Sequence, residues 1–167
     1  MKCKINTSTD LPISIESYRS SEYTPPSASV ILFDYEDYSK IIVKIRVNEE
    51  LDIYMYTNDY QFGLNDITIQ YIEDTRKLLV AGKRKSFVID LIQHSVSDDF
   101  THDLFWDITQ LNNGYILETG ELDCLLRDES GAILDRVPVD PPYETFFEDD
   151  GIRFESIVYG TTKLKYP

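Results

Sequence analysis

The stretch EDYSKIIV (36–43) returns almost letter for letter as EDTRKLLV (73–80), 37 residues further along the chain. Carried forward by the same offset, KIIV (40–43) and KLLV (77–80) are followed by GYIL (114–117) and GIRF (151–154). The residues around each join read YEDYSK, IEDTRK, QLNNGY and FEDDGI. All are turn chemistry: Asp bonds to nearby backbone, and Gly accepts positive φ without steric cost, so Asn-Gly and Asp-Gly mark tight turns. Four turns in one register, each followed by an apolar run, predict four consecutive β-units. Glu36, Asp37, Glu73 and Asp74 are therefore read as turn residues rather than catalytic acids.

Working outward, each unit divides into short strands. The third reads FWDITQL, YILETG, LDCLLRD and AILDRVPV, with DESG as a turn between the last two. ITIQYI, KLLVAG and SFVIDLI occupy the second unit; SVILFDY, KIIVKIRV and LDIYMY the first; YETFFE, IRFESIVYG and TKLKY the fourth. Period-two alternation sets Val43, Ile45 and Val47 against Lys44 and Arg46, as expected of a half-buried strand. A helical period is absent from any long segment; 11–19 is the one place a helix could sit. The expected organisation is one all-β domain, 1–167, with an N-terminal segment 1–29 and units 30–66, 67–103, 104–140 and 141–167. A repeated antiparallel meander of this length predicts a propeller-like or curved arrangement, with a β-sandwich as the alternative.

FWDITQLNNGYILETGELDCLLRDESGAILDRV (105–137) resembles a propeller blade of the WD40-like or PQQ-like kind, with Asp128 to Gly131 matching the D-x-x-G-type turn. The Gly-His signature is missing, and the quinone-binding residues of PQQ enzymes have no counterpart, so no cofactor is expected. The fourth unit stops short of a full blade. The resemblance implies that an N-terminal strand, from MKCKINTS (1–8) or from 12–17, completes it.

Charge is distributed unevenly. The formal total is −14, yet between Asp98 and Glu155 sixteen carboxylates face only Arg127, Arg136 and Arg153, a local −13. Such a region repels nucleic acid and anionic membranes and attracts a basic partner. Acidity also aids solubility, which is the plainer reading. The basic stretch Lys83, Arg84 and Lys85 is read as neutralising acid rather than gripping phosphate. No apolar run has the length of a signal-peptide core or a membrane span, and Cys3 and Cys124 lack metal-ligand spacing, so a reducing cytoplasmic setting is expected, with Cys124 as a small buried hydrophobe.

Motifs for chemistry are sparse. His94 and His102 sit in QHSVSDDFTHD with Asp98, Asp99 and Asp103, which reads as an exposed loop joining the second and third units. Metal binding or a Ser–His–Asp arrangement there would need a spacing or a nucleophile elbow that the stretch does not have, so no metal is expected. Phosphate-binding glycine motifs are absent. In size, charge and patterning the chain resembles the immunity proteins of bacterial polymorphic-toxin and contact-dependent growth-inhibition systems. That resemblance implies a non-enzymatic inhibitor that covers a basic, nuclease-like toxin with carboxylates. The expected contact residues are Asp98, Asp99 and Asp103 on the joining loop, Glu148, Asp149 and Asp150 on the last turn, and Trp106 as an aromatic anchor. A propeller-like scaffold or ligand-binding module unrelated to toxins is the alternative, and an acidic DNA mimic is a further one.

Overall fold

A computed structural model describes residues 3–6, 11–27, 29–34, 41–57 and 67–167. The described residues form sixteen strands and no helix, arranged in four sheets. The chain divides into two compact units, Met1–Thr101 and His102–Pro167.

Two sheets make up the first unit. One contains β2 (Ile13–Arg19), β4 (Ile41–Val47), β5 (Leu51–Thr57) and β3 (Val30–Phe33), in that order. The other runs β1 (Cys3–Asn6), β6 (Ile67–Ile72), β7 (Lys77–Ala81), β8 (Lys85–Asp90) and β9 (Ser95–Thr101). The alternation seen in sequence sets their packing. Val43, Ile45 and Val47 of β4 join Leu51, Ile53 and Met55 of β5 in a core shared with Ile67, Ile69, Leu78 and Val80 of the second sheet. Lys44 and Arg46 fall on the other face of β4, where both pair with Asp52.

A buried carboxylate ties these two sheets together. Asp34, just after β3, accepts hydrogen bonds from the backbone amides of Lys83 (3.2 Å), Arg84 (2.7 Å) and Lys85 (2.9 Å), and from Thr57 Oγ1 (2.9 Å). The basic stretch thus grips an internal anion with its main chain. Gly82 is required beside it, because a Cβ there would lie 2.4 Å from Asp34 Cγ and 2.6 Å from Met55 Cε.

The second unit also has two sheets. β10 (Phe105–Gln110), β11 (Ile116–Gly120), β12 (Asp123–Arg127) and β13 (Ile133–Pro138) form one antiparallel meander; β14 (Tyr143–Glu148), β15 (Gly151–Ser156) and β16 (Gly160–Lys165) form the other. Leu117, Cys124, Leu126 and Val137 pack with Ile152, Phe154 and Leu164 to make their core. The turns match their sequence cues. Gly114 has φ +87°, and Asp128 Oδ1 accepts bonds from the amides of Ser130 (2.8 Å) and Ala132 (2.9 Å). Gly151 admits no Cβ, which would stand 2.1 Å from Leu164 O.

Several expectations need correction. The possible helix at 11–19 is strand β2, antiparallel to β4. β3 does not form a hairpin with β4; it lies parallel to β5. The turn YEDYSK (35–40) lies outside the described residues; the strands on either side of it, β3 and β4, are not neighbours, whereas β6 and β7 are. Neither N-terminal strand completes the sheet of β14–β16: β1 pairs parallel with β6, and β2 joins β4. The stretch read as a joining loop is mostly strand β9, paired along β8. Among the described residues no helix is long and apolar enough to cross a membrane.

Candidate functional site

Among the described residues, a buried cluster of ionisable side chains lies inside the second unit. On one face of β12, Cys124 and Leu126 point into the core; on the opposite face the alternation places Asp123, Leu125 and Arg127. Register then brings Glu118 of β11 opposite Leu125, and Arg136 of β13 opposite the same residue. His102 enters this face. Its Nδ1 is 2.6 Å from Asp123 Oδ1, and its Nε2 is 2.8 Å from Glu118 Oε2. The second Glu118 oxygen is held by Arg127 Nε, while Arg127 Nη1 donates to Gly131 O at 2.8 Å. Arg136 Nη2 reaches Asp123 Oδ2 at 3.1 Å.

His102, Glu118 and Arg127 have fully buried side chains, and Asp123 nearly so. An imidazole facing carboxylates at both nitrogens satisfies both only as imidazolium, donating twice. Burial by itself pulls the His102 pKa down, but the hydrogen bonds to Asp123 and Glu118 outweigh it, and the net shift is upward. With His102 protonated, two buried carboxylates meet two buried cations, and the interior is neutral. Each member is committed to another, so the cluster reads as an interior lock rather than an acid–base centre open to substrate.

His94 does not share this site. It occupies the exposed turn before β9 with φ 52°, and the seven residues of β9 separate it from His102. Among the described residues no group of three or more His, Cys, Asp or Glu could hold a metal ion.

The expected contact residues fall in both units. Asp98, half-buried, and Asp99, exposed, lie on β9 of the first unit; exposed Asp103 belongs to the second. Trp106 is half-buried and stacks on Tyr143 at 5.2 Å and 7°, and Tyr143 meets Phe154 edge-on at 5.9 Å. Its ring therefore extends the aromatic layer over the core. Tyr143 also donates its hydroxyl to Gly120 O at 2.9 Å. Burial raises the pKa of Tyr143, and burial pushes the nearby Cys124 thiol up to about 12.

Glu148, Asp149 and Asp150 lie together at the β14–β15 turn of the second unit. Glu148 pairs with Arg153 (2.7 Å) and Lys163 (2.7 Å), and Lys163 also reaches Asp150 (2.5 Å). Bonds to these cations hold both carboxyls below the usual range. Glu148 and Asp149, with Phe147 and Tyr166, border a groove of about 590 Å³ whose other wall is the β10–β11 turn. No protein-family model matches the chain, and no curated protein matches it significantly.

Proposed function

We propose that this chain is a cytoplasmic, non-enzymatic binding protein that captures a basic protein partner, acting as an immunity protein against a nuclease-like toxin. The observation that carries this reading is the charge of the second unit. From His102 to Pro167 fourteen carboxylates stand against five Lys and Arg, a formal −9. Two of those carboxylates are consumed inside; Asp103, Glu129, Glu144, Asp149, Asp150 and Glu155 are exposed. Crowded exposed carboxylates repel one another, and a cationic surface relieves that repulsion while steering encounter. Capture is stoichiometric, and its specificity comes from packed anchors within the acidic surface.

The test asks whether a toxin gene neighbours this one and titrates that toxin domain with the protein. The expected result is a 1:1 complex that silences the toxin and associates about tenfold or more slowly as salt rises from low to physiological strength and beyond. Reversal of Asp103, Glu144 and Asp149 together to Lys, all exposed in the second unit, is expected to weaken the complex without unfolding the protein. Equal affinity in that variant, with an association rate indifferent to salt, would leave the acidity as a solubility feature alone.

A further inference from the structure

We infer that the groove between the β10–β11 and β14–β15 turns receives an arginine side chain of the basic partner, with Phe147 and Asp149 as its principal contacts. The inference rests on the basic-partner reading and names where that partner is gripped.

The groove follows from the repeat. QLNNGY and FEDDGI are register-equivalent turns, each joining the first two strands of its sheet, and together they wall one cavity. Phe147 pairs with Ile152, so it projects from the same face of its sheet as Ile152 and Phe154, the face that builds the core. Ile152 and Phe154 are fully buried, yet Phe147 is 62% exposed, and among the described residues its ring has no aromatic partner. A large apolar ring on an inward face and open to the groove is a surface waiting for an occupant.

The charges beside it select the occupant. Arg153 and Lys163 are spent on Glu148, Asp150 and Glu155. Asp149 differs: it is exposed, and among the described residues its carboxylate makes no ion pair or hydrogen bond. Asn112, on the facing turn, offers an amide oxygen, and Tyr166 a hydroxyl. A free carboxylate, an open aromatic face and neutral acceptors match a guanidinium, which stacks its plane on a ring while its fork of N–H donors meets a carboxylate. A formal charge of −9 on the unit disfavours phosphate and other anions.

The experiment titrates the full chain, labelled with nitrogen-15, with an alternating Gly-Arg hexapeptide, its lysine and citrulline analogues, and a neutral glucose oligosaccharide. Citrulline keeps the shape of arginine without its charge. The arginine peptide is expected to move the signals of Asn112, Asn113, Phe147, Asp149 and Tyr166 and to bind most tightly of the four. Phe147→Ala and Asp149→Asn should each weaken it about fivefold; both are exposed positions whose change leaves the fold standing. Shifts centred on Glu129 or Glu144 instead would overturn the groove and leave the basic-partner reading intact. Equal binding of the lysine peptide would reduce the groove to unselective acidity and refute the arginine site. A stronger response to the oligosaccharide would make it a saccharide site. Silence toward both cationic peptides would sink the groove and the basic-partner reading together.

Discussion

Replacing His102 with Ala removes the cation that both buried carboxylates share. Glu118 keeps Arg127, and Asp123 keeps Arg136, whose side chain is 55% exposed. The interior then holds two carboxylates and one fully buried cation, and Asp123 is left with only the partly exposed Arg136. Breaking a buried pair from one side costs about 3–5 kcal/mol. Against a total stability of about 5–15 kcal/mol this is a large share, and it corresponds to a melting shift on the order of 10 °C. The pH dependence separates this mechanism from simple loss of volume. His102 has a raised pKa in the folded state, so its stabilisation is complete below the unfolded value of about 6.5 and drains away as pH rises through the higher folded value. Urea denaturation of the parent across that window should show stability falling toward alkaline pH, and His102→Ala should lack that component of the fall. A loss under about 1 kcal/mol at about pH 6, or the same pH slope in both proteins, would refute the imidazolium lock.

Other positions give independent checks. Gly82→Ala drives a methyl into Asp34 and Met55, and should destabilise the first unit by about 1–3 kcal/mol in chemical denaturation. Asp34→Ala should cost about as much or more, because three backbone amides and the Thr57 hydroxyl lose their acceptor. The Cys124 thiol, with its pKa pushed up by burial to about 12, should resist alkylation at mildly alkaline pH in the native protein and react on unfolding, as read by peptide mass spectrometry. Trp106→Ala should lower stability by about 2 kcal/mol through the lost stack on Tyr143; an unchanged melting temperature would free that ring for a partner.

Strands joined by short local turns were legible because the hydrophobic period and the turn residues lie side by side in sequence: β6 to β8 and β10 to β16 follow their runs closely. β9 was hidden because SVSDDFT is an edge strand with mostly polar side chains, and its strand state comes from main-chain pairing with β8. The placement of β3 was hidden for another reason. VILF announces a strand, but nothing local says that it pairs in parallel across β5 rather than with the next strand along. The interior lock leaves a trace in sequence: Glu118, Asp123 and Arg127 are charges set in apolar strands, and such residues demand buried partners. What no pattern supplied was the partner itself, since His102 lies sixteen residues before Glu118 and in another segment.

The pairing of β1 with β6 sets an order of events for the growing chain. Cys3 meets Ile67, and Asn6 meets Gln70, so this edge cannot form until the polypeptide has been made past the second sheet's first strand. β2 likewise waits for β4, and β3 for β5. The second unit has no such debt, because each of its strands pairs only with the strand next to it in sequence. Distant pairings form late, since loop closure must precede the contacts that reward it. The unit that leaves the ribosome first is thus the slower to mature, and its β2 and β3 wait for partners synthesised after them, which makes that interval the one in which a chaperone has most to protect.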